Sequence, residues 1–468
     1  MAKQTLIKLL IALGVFISTI GVFKLLQDPG IYDSTLGKIS CNYERVKNDR
    51  KYQVVQANKP YINIDHSNIY RWDATIYKSI ADSSYSGSER SFKERLAFYP
   101  LFPMIWKATH INSPLIFVFC YFFFIAGLIL LSNLSGLTKS TNTFIFTLSI
   151  LLPSAMTYYL PYAEPVFFTS LVITFWGLIK KNYWLFFIGA FAFAMSRPAA
   201  IIFIMALLAA DLRYLIAHRN FRYFIRELTM KLLPFVLGFL TVTFIQYSYA
   251  GSWTAYFDAQ VLWPAESGLF NTITDWSKEG FGMSVFAIFF VAIPSLIYSI
   301  IWGIKAFTKE PAATPASLFS TDEKWIKEYI FHASILFTAG NLVYTFLTSG
   351  NALNGVYRYT MVVPCFYFIL FLLPERLKEI SFKNKMIAFG SCLTLMVIFL
   401  TLVVYGGNRF VFTYTGLYLS IALLLFFLTE PYLSIRNKII LFLLLVIPCI
   451  AWHTYLFNMY LSDAWLFT

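Results

Sequence analysis

Apolar runs of about 20 residues recur along the chain, broken by polar stretches, and they are far too long for barrel strands. Each has the length a helix needs to cross a bilayer, where only helices and closed barrels satisfy their own backbone groups. Spanning helices are predicted at roughly 5–26, 114–131, 142–160, 163–179, 183–196, 199–216, 232–250, 283–303, 329–348, 358–374, 386–405, 410–429 and 438–457. That makes about thirteen, the fifth being short for a span. The first run, "MAKQTLIKLLIALGVFISTIGVFKLL", has features of a signal peptide. Its apolar stretch is long and no small-residue cleavage site follows, so it reads as a retained first helix. The expected fold class is an all-α polytopic membrane protein, a single integral domain over 1–468.

The short loops set the orientation. With a cytoplasmic N-terminus, "KK" at 180–181, "HRNFRYFIRELTMK" at 218–231, "PERLKEISFKNK" at 374–385 and "IRNK" at 435–438 all face the cytoplasm. The opposite short loops hold only Arg197, Lys278, Arg358 and Arg409, the asymmetry that the positive-inside rule describes. A linker at 304–328, rich in Ala, Pro, Ser and Thr, joins two helices on the cytoplasmic side.

The same orientation puts a long first loop, 27–113, outside, where loop length exempts it from the charge rule. Its first part, 27–69, has short β-like runs ("KYQVVQA", "PYINI") that fit a small hairpin. Its second part, 72–110, reads as helices lying in the membrane interface: "DATIYKSIADSSY" places Ile76, Ile80 and Ala81 on one face, and "SFKERLAFYPLFPMIWKATH" runs from charge to aromatics and prolines. A second outer segment, 247–282, holds three tryptophans and four acids and has the makings of a lid.

Composition agrees with the pattern. The chain of 468 residues is 58% hydrophobic and 13% charged, with mean hydropathy +0.64; soluble proteins carry roughly 25% charged residues. The net charge of +13 belongs to the cytoplasmic loops rather than to a nucleic-acid partner. Cys120, Cys365, Cys392 and Cys449 lie in apolar segments and Cys41 stands alone in a polar loop, so no disulfide framework is implied. The five histidines are scattered without metal-ligand spacing. No Gly-rich phosphate loop, dinucleotide fingerprint or zinc spacing is present, which argues against a cytoplasmic nucleotide donor.

The informative ionisable residues gather at the outer helix ends. Asp73, in "RWDATIY", opens an amphipathic helix. It suits an N-cap, and equally a general base toward a hydroxyl acceptor or a metal ligand. Glu164, in "YLPYAEPVFF", sits where a short outer turn re-enters the membrane. It is either a turn residue or, since an acid at that depth is costly unless paired, a functional one. Arg197 in "AMSRPAAI" and Arg358 in "GVYRYTMVVP" either snorkel to the interface or bind a lipid phosphate through the guanidinium fork. Arg71, Trp72 and Tyr162, which flank the two acids, join these arginines as substrate-binding candidates. Asp65 and His66 read as a surface turn.

These features, in this order, resemble the PIG-V family of GPI mannosyltransferases and their bacterial relatives. The matches are "RWDATIY" to the family's Trp-Asp loop, "LAFYPLFPMIW" to its aromatic-proline run, "YAEPVFF" to its "YSESLF"-like turn, "SRPAA" to its Arg turn and, more loosely, "VYRYTMVVP" to its late Arg. They keep their order and membrane side over roughly 72–375, while 27–69 looks like an insertion. The resemblance implies a GT-C glycosyltransferase fold with its site on the lumenal or periplasmic face. It implies a polyprenyl- or dolichyl-phosphate mannose donor, a glycan, glycolipid or protein acceptor, and Asp73 as the catalytic acid. Glu164 would join it, binding sugar hydroxyls or sharing a divalent metal; a metal is not required, because two cations neutralise a single leaving phosphate. The alternatives are transfer of another sugar, such as an aminoarabinose or a protein-linked mannose, and a transporter or lipid-carrier flippase. Compact loops favour a bacterial inner membrane over the endoplasmic reticulum.

Overall fold

In the computed structural model the apolar runs fold as helices. The structure describes residues 2–28, 30–31, 43–48, 51–56, 64, 66–218, 221–261, 281–308, 323–348, 356–403, 416–423 and 434–461. Helix α1 (Ala2–Leu26) is followed by an antiparallel hairpin, β1 (Tyr43–Asn48) and β2 (Lys51–Gln56), with Tyr43 opposite Gln56. Four short helices come next: α2 (His66–Ile69), α3 (Asp73–Ser83), α4 (Glu89–Leu96) and α5 (Leu101–Thr109). Then α6 (Ser113–Leu134) and α7 (Lys139–Leu151) lead into a 3-10 turn, Pro153–Tyr159. Helices α8 (Glu164–Ile179), α9 (Tyr183–Ser196), α10 (Ala200–His218), α11 (Phe221–Ala250) and α12 (Ala255–Gln260) follow. Next, α13 (Phe281–Phe286) runs through a π turn, Ala287–Ala292, into α14 (Ile293–Thr308). The chain continues through α15 (Glu323–Thr348), α16 (Val356–Thr360), α17 (Pro364–Glu379), α18 (Phe382–Val403) and α19 (Ile435–Leu461).

Among the described residues seven helical stretches are long and apolar enough to cross a membrane: Lys3–Leu26, Ser113–Leu134, Phe224–Ala250, Ser284–Lys305, Glu323–Leu347, Phe382–Phe399 and Arg436–Leu461. An eighth arises if the 3-10 turn and α8, bent by 99° against each other, count as one broken span. The chain is an integral, multi-pass, predominantly helical membrane protein. Several of the thirteen expected spans do not meet this length-and-composition test among the described residues, for physical reasons. The run 142–160 breaks at Pro153 and 358–374 breaks before Pro364; each proline lacks an N–H donor and pushes the residue before it into extended backbone, so a new helical segment starts there. The stretches Tyr183–Ser196 and Ala200–Leu212 are apolar but short for a span. Most of 410–429 lies outside the described residues, as do 262–280 of the second outer segment and 309–322 of the linker.

Helix α8 is the centre of the bundle, buried on nearly every side against α6, α9, α15 and α17. An aromatic knot holds it: Phe124 stacks on Tyr158 at 3.9 Å, and Phe168 meets Tyr367 edge-on at 5.2 Å. Its closest partner is α9, which runs back along it after a tight turn capped by Asn182, whose Oδ1 accepts from Leu185 N at 3.1 Å. This hairpin works only because Gly177 has no side chain; a Cβ there would lie 2.2 Å from Phe186 N. Since backbone cannot yield cheaply, Gly177→Ala should cost about 1–3 kcal/mol of stability. The thermal midpoint of the purified protein measures this, with Gly21→Ala as control, because a Cβ at Gly21 meets nothing within 4 Å. The two free ends of the hairpin carry Glu164 and Arg197, so its packing fixes where both charges stand.

Candidate functional site

The segment before α3 is unusual. Trp72 has φ 54° and ψ −127°, a conformation that a residue with a Cβ adopts at a cost of about 1–3 kcal/mol. Its neighbours hold it there. Ala74 N donates to Arg71 O and Thr75 N to Trp72 O, both at 3.0 Å, while Thr75 Oγ1 donates to Tyr70 O at 2.9 Å. From the far end of the chain, the Tyr460 hydroxyl on α19 donates to Ile69 O at 2.7 Å and accepts from Arg71 N at 3.4 Å. Arg71 itself turns to Asn68 Oδ1, at 2.9 Å. Trp72, 40% exposed, occupies the N-cap position and makes no capping hydrogen bond through its side chain. Asp73 is therefore the first helical residue rather than the cap.

Its carboxylate is used across the fold. Asp73 Oδ2 accepts from Arg358 Nη2 at 2.7 Å, a contact between residues 285 positions apart. Arg358 also donates from Nε to Glu164 Oε1 at 2.7 Å, and its Nη2 lies 2.6 Å from the same oxygen. Arg197 Nη1 reaches that oxygen at 2.9 Å. Two acids and two guanidiniums thus form one network of charge-assisted hydrogen bonds with no net formal charge. Glu164 is fully buried and Arg358 is 9% exposed, while Asp73 keeps 19% exposure and is the carboxylate within reach of a solute. Glu164 Oε2 has no hydrogen-bond partner among the described residues, an orphan acceptor at the heart of the cluster. The Arg358 guanidinium lies over the Tyr162 ring at 5.3 Å, and Arg197 over Phe167 at 5.7 Å. Neither arginine snorkels: both turn inward to carboxylates.

The aromatic-proline run supports the same place. Tyr77, on the buried face of α3, meets Phe98 and Phe102 edge-on at 5.1 and 5.2 Å. Burial, reinforced by the Glu164 charge, pushes the Tyr77 phenol well above its ordinary range, so it stays protonated and serves as packing. Arg95 ties α4 to α3 through Ser79 and Ser83, each at 3.0 Å.

Of the residues singled out from the sequence, Asp73, Glu164, Arg197, Arg358 and Tyr162 come together. Arg71 and Trp72 shape the backbone beside them, and Asp65 lies outside the described residues. Tyr460 carried no signal in the sequence, since it lies at the end of an ordinary apolar run. Replacing it by Phe leaves Ile69 O without its donor, and should cost about 0.5–1.5 kcal/mol. Faster hydrogen exchange confined to residues 69–75 would show that it positions Asp73; exchange unchanged there would show that it does not.

Among the described residues no three His, Cys, Asp or Glu side chains converge as a metal site. Asp73 and Glu164 are both engaged by the Arg358 guanidinium, so this donor set does not fit a shared divalent ion. No family model, curated protein or solved structure matches the chain.

Proposed function

We infer that the chain is a membrane glycosyltransferase of GT-C type, with about thirteen spans. It moves a sugar, mannose by resemblance, from a polyprenyl or dolichyl phosphate to a hydroxyl acceptor on the extracytoplasmic face of a bacterial inner membrane. The observation that carries this reading is the Asp73–Arg358–Glu164–Arg197 network, assembled from distant stretches that the resemblance names independently.

In this reading Asp73 accepts the proton of the acceptor hydroxyl as its oxygen attacks the anomeric carbon. The bond from that carbon to the phosphate oxygen breaks on the opposite face, its electron pair leaves with the lipid phosphate, and configuration inverts. Charge growing on the phosphate draws on Arg358 and Arg197, which share it with the carboxylates they already hold. Glu164, whose Oε1 both arginines share, holds their guanidiniums in place for the phosphate. In the free protein Arg358 neutralises Asp73, so arrival of the phosphate both engages the arginine and frees the base. Incubating the purified protein with labelled polyprenyl-phosphate mannose and a panel of glycolipid and peptide acceptors tests the reading. A mannosylated product of inverted anomeric configuration supports it; retained configuration would remove the direct attack.

A further inference from the structure

Helices α1, α7 and α19 pack against one another and leave a groove of about 930 Å³ between them. They run parallel, because their contacts advance together. On α1 and α19, Thr454 Oγ1 donates to Thr19 O at 3.4 Å and Phe23 meets Phe457 at 5.1 Å. On α7 and α19, Phe144 meets Phe442 at 5.3 Å, and His453 Nε2 donates to Leu152 O, just past α7, at 2.8 Å. Traced back along the helices, both pairings bring Lys3 and Lys139 level with the first turn of α19. The two lysines therefore stand at the same end of the groove, within about one helical turn (~5 Å) of each other in depth.

That end is cationic. Lys3 and Lys139 both line the groove, with Gln4 and Ser140 beside them, and no Asp or Glu among the described residues does. Neither lysine side chain makes an ion pair or hydrogen bond among the described residues. Packed helices stand about 8–10 Å apart, a gap that two flexible four-carbon stems close on one anion. The rest of the groove is apolar, lined by Ile7, Ile11, Val15, Phe442 and Val446. Thr143 and Thr147 also line it, but their hydroxyls are spent on carbonyls of their own helix, at 2.9 and 2.8 Å. From Lys139 to Leu151 helix α7 rises about 18 Å, slightly more than one leaflet's half of the ~30 Å hydrocarbon core. A groove one leaflet deep, with cations at its rim and no acid, matches one ligand chemistry.

We propose that this groove holds one anionic phospholipid with an uncharged alcohol headgroup, of the phosphatidylglycerol class. Its phosphate is shared by Lys3 and Lys139, and one acyl chain lies between α1, α7 and α19. A zwitterionic headgroup brings an ammonium against two lysines, with no carboxylate to receive it. The lysines lie at the opposite end of α19 from Tyr460, which holds the Asp73 segment, so the proposal stands apart from the chemistry at Asp73.

The test uses the full chain in detergent, supplied with phosphatidylglycerol, phosphatidylethanolamine and phosphatidylcholine of identical acyl chains at equal mole fraction. Native mass spectrometry reads which lipid is retained. Phosphatidylglycerol should exceed either of the others about tenfold, the effect of one charge-assisted contact. Lys3→Gln combined with Lys139→Gln should lower its retention by a similar factor. Lys24→Gln, at the far end of α1, should leave it unchanged. Gly14→Phe should abolish retention: Gly14 lines the groove and a Cβ there meets nothing within 4 Å, so the ring enters the groove without disturbing the packing. Equal retention of the three lipids, or a preference for a zwitterionic one, would overturn the headgroup assignment. A loss on Lys24→Gln as large as that from the two groove lysines, or unchanged retention by Gly14→Phe, would overturn the site.

Discussion

Glu164→Ala is expected to be the most destabilising single substitution in the cluster. The carboxylate is fully buried, and one of its oxygens is shared by Arg358 and Arg197 at 2.6–2.9 Å. Its removal takes away Arg197's carboxylate and leaves Arg358 with Asp73 alone, and breaking a buried ion pair from one side typically costs about 3–5 kcal/mol. The loss should appear as a lower denaturation midpoint, whether or not any substrate is present. Glu164→Gln keeps the shape but not the charge and should recover only part of it. A double variant, Glu164→Gln with Arg358→Gln, should be less destabilised than the sum of its singles, because both single changes break the same Glu164–Arg358 contact. Additive effects would show that the network is not coupled.

Asp73→Asn is expected to have the opposite profile, with a small effect on stability and a large one on turnover. Its side chain is 19% exposed and makes one of Arg358's contacts, while Glu164 continues to hold that guanidinium. Asparagine keeps the size of the side chain and the start of α3, which is fixed by Tyr460 and Thr75 rather than by the carboxylate. What it removes is the proposed proton acceptor, and loss of a positioned general base typically costs about 10²–10⁴-fold in rate. Because Arg358 is then less engaged, donor binding should be unchanged or stronger. Stability therefore isolates Glu164 and rate isolates Asp73, although one arginine touches both.

The sequence made each of the four charged residues conspicuous in the same way: acids and arginines at the outer ends of apolar runs are expensive there without a partner. It did not show that they partner one another. Asp73 and Arg358 are 285 residues apart, and no periodicity links them; their meeting depends on how α3, α8 and α16 pack. The choice between cap and functional acid at Asp73 was likewise open, because both use an Asp at a helix start. The strained backbone at Trp72 decides against the cap by moving that position one residue back. Tyr460 was illegible for a related reason: its hydroxyl matters only to a carbonyl contributed by the opposite end of the chain. Two expected spans are interrupted at prolines 153 and 364, where hydropathy stays high while the residue before each proline leaves the helical region.

The central claim is that Asp73 is the base in sugar transfer from a lipid phosphate. Single-turnover transfer from labelled polyprenyl-phosphate mannose, measured for wild type and Asp73→Asn at matched donor occupancy, tests it most directly. Wild type should give product, both proteins should bind donor, and the variant should transfer about 10²–10⁴-fold more slowly. Transfer by Asp73→Asn at the wild-type rate would contradict the claim.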